Sequence, residues 1–166
     1  MRFCFFSLIF VGAFSCLLGA PEGFRCIAGD VSVPVVDASG TLVVQSGSRA
    51  VVEWNRFSIE AVEHVRFQQA DSASAILNRV TGGEESAIYG LLSSNGSVFL
   101  INPQGVLIGP GCRVETAGFI ASTLDVLNDD FLNDRALHFL GESLKSVVNE
   151  GKISCAEGTI LLVAHQ

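Results

Sequence analysis

The stretch Asn95-Gly96-Ser97-Val98-Phe99-Leu100-Ile101-Asn102-Pro103-Gln104-Gly105-Val106-Leu107-Ile108-Gly109 decides the fold. Two short apolar runs, Val98 to Ile101 and Val106 to Ile108, stand either side of a Pro-Gly corner and are bounded by glycines. Runs this short between turn residues are strands, not helices. Outward from there the corners keep recurring, at Gly90, Gly96, Gly105, Gly109, Gly111 and Gly118, and Ala117-Gly118-Phe119-Ile120 follows Asn95-Gly96-Ser97-Val98 by 22 residues. A sandwich turns every 8 to 12 residues or so with alternating faces. A period of about twenty suits one coil of a parallel β-helix, in which short strands joined by bends stack on the next coil at about 4.8 Å.

The same rhythm extends in both directions. Val31-Ser32-Val33, Thr41-Leu42-Val43-Val44 and Ala50-Val51-Val52-Glu53-Trp54 alternate with Gly- and Ser-rich turns, and Gly151-Lys152-Ile153 and Gly158-Thr159-Ile160 resume it near the carboxyl end. Leu124 to Lys145 breaks it, bringing Asp125, Asp129, Asp130 and Asp134 together with Phe131, Leu132, Leu137, Phe139 and Leu140. The expected fold is therefore all-β: a right-handed parallel β-helix solenoid with an extra-helical excursion near 124–145. The excursion is expected to be a hairpin or short helix with a solvated acidic face.

Composition narrows the function. The 166 residues are 49% hydrophobic and 16% charged, with mean hydropathy +0.46, so the chain buries a core despite a net charge of -7. Length favours one domain. A pI near 4.8 lacks the basic footprint that nucleic acid or an anionic lipid surface demands.

Met1-Arg2, the apolar run Phe3 to Leu18 and the small-residue exit Gly19-Ala20-Pro21 have the three parts of a secretory signal peptide, with cleavage expected after Ala20. The domains expected are thus a signal peptide at 1–20, read by the Sec export machinery, and a β-helix domain at 21–166. Removing 1–20 takes Cys4 and Cys16 away and leaves Cys26, Cys112 and Cys155, an odd number with no CxxC spacing, so small buried thiols are favoured over a metal site.

Asn102-Pro103-Gln104-Gly105 is the most constrained corner. Asn at the first position can bond the backbone two residues on, Pro at the second presets φ, and Gly at the fourth tolerates the exit, which suits a type I turn. Gln104 would project outward. The corner either only shapes the coil or presents Gln104 to a partner. Asn78 is expected in an internal stack of polar side chains, and Arg79 beside it is expected to anchor a carboxylate such as Glu84 or Glu85.

Asn78-Arg79-Val80, Ser86-Ala87-Ile88-Tyr89-Gly90, Asn102-Pro103-Gln104-Gly105 and Ala121-Ser122-Thr123-Leu124, in this order, resemble the amino-terminal secretion (haemagglutination-activity) domain of two-partner-secreted exoproteins, the filamentous haemagglutinin and high-molecular-weight adhesin family. The family's corner reads Asn-Pro-Asn-Gly; here Gln104 replaces the second Asn. The resemblance implies a secreted or cell-surface protein exported by an outer-membrane β-barrel transporter with periplasmic recognition domains. It makes Asn102, Pro103, Gln104 and Gly105 the corner on which export depends, with Asn78, Arg79, Ser86, Ser122 and Thr123 as a secondary motif. The domain would also nucleate β-helix folding at the cell surface.

No catalytic constellation accompanies these motifs. His64, His138 and His165 lack zinc spacing, no GxSxG or phosphate loop is present, and the aspartates of 125–134 match no Ca²⁺ loop. Neither an enzyme nor a cofactor nor a metal is expected. The alternative is a small self-contained adhesin that binds host surface glycans or proteins, or a non-functional remnant of a larger adhesin. Because Ala164-His165-Gln166 follows a strand with the look of mid-solenoid, truncation at the carboxyl end is also expected.

Overall fold

The structure is a computed structural model, described for residues 20–165. Positions 1–19, and with them nearly all of the expected signal peptide, lie outside the described residues. After β1 (Arg25–Ala28) and β2 (Val35–Val36), the chain enters a three-sided coil. A first, two-stranded turn holds β3 (Leu42–Gln45) and β4 (Arg49–Trp54). A second holds β5 (His64–Gln68), β6 (Ala75–Val80) and β7 (Ser86–Ile88), and a third β8 (Leu91–Ser94), β9 (Ser97–Ile101) and β10 (Val106–Ile108). The fourth contains β11 (Arg113–Thr116) and β12 (Gly118–Ser122), leaves the coil for the helix α1 (Asn128–Leu132), and returns as β13 (Val147–Asn149). Strands β14 (Lys152–Cys155) and β15 (Ile160–Val163) begin another turn.

Equivalent strands of successive coils pair in parallel, giving one sheet in the order β1-β4-β6-β9-β12-β15, a second β13-β10-β7 and a third β14-β11-β8-β5-β3-β2. The parallel β-helix expected from the spacing is therefore the fold. Register measures the coil directly: Arg49 lies opposite Ala75, Ala75 opposite Ser97, and Ser97 opposite Gly118, so the steps are 26, 22 and 21 residues. Phe119 lies opposite Ile160, a step of 41 that contains the excursion.

The amino-terminal segment departs from the sequence reading. Val31-Ser32-Val33 forms no strand beyond a single bridge from Val31 to Ser46, while β1 and β2 pair antiparallel with β4 and β3. A strand that opens a solenoid has no preceding coil to stack on. Reversing direction covers the first edge without another full turn.

Two apolar clusters result. Inside the coil, Val44, Val52, Phe67, Ile76, Ile88, Leu100, Val114 and Phe119 interdigitate, capped at the amino-terminal end by Trp54 and Phe57, whose rings meet edge to face at 5.7 Å. Outside it, Val51, Leu77, Phe99 and Ile120 form an in-register column on the outer side of the first sheet. The excursion lies across that column and buries it under Val126, Phe131, Leu137 and Phe139. It contains both forms expected of it, the helix α1 and an antiparallel bridge in which Asp125 and Leu140 exchange two 2.8 Å backbone hydrogen bonds. Here it is a strap rather than a free loop.

Two arginines fasten the strap. Arg49 donates to the Phe131 carbonyl at 3.0 Å, pairs with Asp134 and lies 5.2 Å from the Phe131 ring centroid. Arg79 holds both oxygens of Asp125 and also donates to the Val126 carbonyl and Asn128 Oδ1. The acidic face expected to be merely solvated is thus largely engaged, since Asp129 also pairs with Arg135.

Candidate functional site

The corner between β9 and β10 is a four-residue turn with an inward and an outward half. The Asn102 carbonyl accepts from Gly105 N at 3.0 Å, and Asn102 Oδ1 accepts from Gln104 N at 2.9 Å, so the side chain reproduces the turn's own hydrogen bond. Its amide reaches across to the preceding coil, where Nδ2 donates to the Glu84 carbonyl and to Ser86 Oγ, both at 2.9 Å. Its backbone N–H donates to the Ser122 carbonyl of the following coil. Asn102 is fully buried and ties three coils together.

Gly105 is required for a different reason. Its φ is +113°, which an L side chain rarely adopts, and an added Cβ would come within 3.1 Å of Glu85 Oε2. Pro103 and Gln104 are exposed. Gln104 projects outward as expected.

The secondary motif divides between coil and strap. Ser86, also fully buried, belongs to the corner through its bond with Asn102. Ser122 Oγ accepts from Leu124 N and donates to the Leu124 carbonyl, turning the chain out of the coil into the strap. Thr123 is buried, and its backbone N–H donates to the Val163 carbonyl.

Two expectations are corrected. Asn78 is buried, but not in a polar stack: Val52 and Leu100 flank it in register, Trp54 Nε1 donates to its Oδ1 at 3.0 Å, and its Nδ2 donates to the Phe99 carbonyl. The indole needs a buried acceptor, and Asn78 supplies it. Arg79 does anchor a carboxylate, but it is Asp125 and neither Glu84 nor Glu85. Strand alternation turns it to the outer side of the first sheet, under the strap, where Asp125 waits; Glu84 pairs instead with Arg56 at 3.3 Å. Sequence reasoning missed Arg49 altogether, although a lone Arg opening the run Ala50-Val51-Val52 is a visible signal.

Among the described residues Cys26, Cys112 and Cys155 carry free thiols, and only Cys112 is buried: Cys155 is half-buried and Cys26 is exposed, against the expectation of small buried thiols. Cys112 is buried and its thiol is pushed up to about 11 by desolvation, which makes it a packing group. A shallow groove of about 620 Å³ over the corner that follows β5 and β8, lined by Gln69, Ser94, Asn95 and Glu115, lies away from the motif corner. No group of three or more metal-ligating side chains assembles among the described residues.

A stacked parallel coil with a covered outer face and a rigid, half-displayed corner defines a β-helical module. The comparisons give the class its family: the TPS secretion domain model matches residues 32–166, and the chain belongs to that family. Two proteins of Haemophilus influenzae, both named heme/hemopexin-binding protein, are 34% and 37% identical over 106 residues. Those residues are 64% of this chain, which spans only 11–12% of the length of these curated relatives. The secretion domain of Haemophilus influenzae HMW1 superposes with a TM-score of 0.77 at 32% identity, over 85% of this chain and 39% of that one. The filamentous haemagglutinin secretion domain shares the fold, with a TM-score of 0.53 at 14% identity over 88% of this chain and 56% of that one.

The resemblance read from the motifs is thereby confirmed. Proteins with this domain are exported through the outer membrane by a partner transporter and are secreted or held at the cell surface. The family is one of secretion domains of adhesins and binding proteins, not a family of enzymes.

Proposed function

We propose that this chain is the secretion module of a filamentous-haemagglutinin-like exoprotein. Its signal peptide at 1–20 delivers it through Sec to the periplasm, the periplasmic domains of an outer-membrane β-barrel transporter recognise it, and its first coils nucleate the β-helix at the cell surface. The carrying observation is the division of labour within one turn: Asn102 and Gly105 fix the corner, while Pro103 and Gln104 are left in solvent. Nucleation follows from stacking, because a coil buries its apolar side chains only against its neighbours. Vectorial release lets each coil form on the last.

The two relatives are named for binding heme and hemopexin. The part shared with this chain is a small fraction of each, so the reading transfers an export role and not a ligand.

The test is export of Gln104→Ala in cells that carry the transporter, scored as the ratio of medium to periplasm. We expect wild-type protease resistance of the purified variant with export reduced at least tenfold. Unchanged export would make the corner a folding element only.

A further inference from the structure

The corners that carry the third sheet into the first differ in length from coil to coil. Six residues, 69–74, join β5 to β6, and two, 95–96, join β8 to β9. Ala117 alone joins β11 to β12, and four residues, 156–159, join β14 to β15. Short corners flanked by long ones make a saddle, whose walls stand three coil steps apart, about 14 Å at about 4.8 Å per step. One cavity of about 620 Å³ is lined by Gln69 and Glu115, and a second of about 460 Å³ reaches from Ser72 on one wall to Glu157 on the other. They share Ser94, Asn95 and Glu115, so the two form one groove along the coil axis.

The floor offers little to a peptide strand. Ala117 N donates to the Gly96 carbonyl, Gly96 N donates to Ser94 Oγ, and the Ala117 carbonyl accepts from Glu157 N and Gly158 N. The polar groups that line the groove are instead side-chain hydroxyls and amides. Gln69 among them, only 4% exposed, is incompletely paired. Its Nε2 donates to Ser94 Oγ and to the Ser97 carbonyl, both at 2.9 Å. A carbonyl only accepts, so the amide cannot be turned over, and Oε1 is left without a donor among the described residues. A buried acceptor without a donor is costly, and in a side chain that lines a groove it suits a hydroxyl brought from outside. The charges present do not suit an anion. Arg66 pairs with Asp37 and Glu115 with Arg113, while Glu157 is exposed on the wall.

We propose that this saddle is a binding groove for a neutral, hydroxyl-rich oligosaccharide lying along the coil axis, with a sugar hydroxyl donating to Gln69 Oε1. A pyranose unit is about as long as one coil step, so about three units fill the span between the walls. The groove is complete only when the coils have stacked, which places its use at the cell surface, after export.

The experiment is saturation-transfer NMR on the purified chain with three neutral probes, maltotetraose, mannotetraose and lacto-N-tetraose, and two acidic ones, tetragalacturonate and sialyl-lacto-N-tetraose. Transfer to at least one neutral probe is expected, with less or none to the acidic pair. Ser72→Arg and Ser154→Arg, on exposed groove residues of different coils, are each expected to lower the neutral signal several-fold. Val62→Arg adds the same charge at a site 98% exposed in the turn before β5 and is expected to leave the signal unchanged. Transfer to no neutral probe, or stronger transfer to an acidic one, overturns the proposed ligand. A signal that survives both groove variants, or that Val62→Arg lowers equally, overturns the groove as the site. Neither result touches the export reading, which the ratio of medium to periplasm measures separately.

Discussion

Two sheets of one coil solve the problem of an outer surface differently. In the first sheet, β6 reads Ala-Ile-Leu-Asn-Arg-Val and β9 Ser-Val-Phe-Leu-Ile, with both sides of each strand buried almost throughout. In the second, β7 and β10 bury alternate residues and leave Ala87 and Leu107 half open to solvent. Parallel sheets covered on both faces need near-continuous apolar strands, and the strap supplies the second cover. The comparison shows that the strap is an extension of the core, laid over one side only. The motif corner joins the covered sheet to the open one, which is why it can be rigid on its inner side and accessible on its outer.

The sharpest way to break this comparison is to remove the strap's anchor. Phe131 is fully buried and meets Phe99 edge to face at 5.1 Å. Phe131→Ala should cost about 3–5 kcal/mol of local stability, the usual range for an emptied aromatic site. Hydrogen exchange is expected to rise across 126–139 while the inward half of β4 and β6 stays protected. Loss of protection everywhere at once would mean that coil and strap are a single cooperative unit.

Next in size is Asn102→Ala, which deprives Ser86 Oγ and the Glu84 carbonyl of their common donor. A buried group left unpaired costs about 1–3 kcal/mol, so the urea midpoint should fall markedly. Gln104→Ala, two residues away but in solvent, should change stability by less than about 0.5 kcal/mol. Equal losses would abolish the distinction between inner and outer halves of the corner.

Much of this was legible in the chain itself. The coil length could be read because the corners at Gly96 and Gly118 open equivalent apolar runs 22 residues apart, and the corner Asn102 to Gly105 because Pro and Gly admit few turns. What escaped depends on partners distant in sequence. Arg79 adjoins Glu84 and Glu85 in the chain, yet its partner Asp125 is 46 positions on, and only strand alternation plus the strap's path brings them together. Asn78 needed knowledge that Trp54 sits one coil earlier. The antiparallel β1 and β2 carry no period at all, because they pair once and are not repeated.

Arg79 provides a smaller, sharper test. Arg79→Met keeps much of the stem but removes four acceptors' worth of donors, on Asp125, Val126 and Asn128. Asp125 is nearly half exposed, so the expected loss is modest, about 1–2 kcal/mol. Arg79→Lys should recover less than half of it, since an ammonium cannot span the carboxylate in a fork. Full rescue by Lys would show that charge alone secures the strap.

The smallest expected effect lies on the third sheet, at His64. Its ring bridges Thr41 Oγ1 at 3.2 Å and Ser93 Oγ at 2.7 Å, so it links the first coil to the third. Desolvation and then the nearby Arg66 lower its pKa below the ordinary 6.5, outweighing the attraction of Asp37 and Glu115. The folded chain thus takes up the proton at lower pH than the unfolded chain does. Stability is unaffected well above 6.5 and declines as pH falls through 6.5 towards the folded value, because there the unfolded state binds more protons. Asp37, held below its usual range chiefly by the Ser39 hydroxyl, acts in the same direction but only near and below its ordinary 3.8. Denaturation midpoints at pH 7.5 and 5.5 should differ slightly for the wild type and less for His64→Gln, whose amide keeps a hydrogen-bonding group at that place without titrating. An undiminished difference in the variant would move the pH sensitivity away from this coil-to-coil bridge.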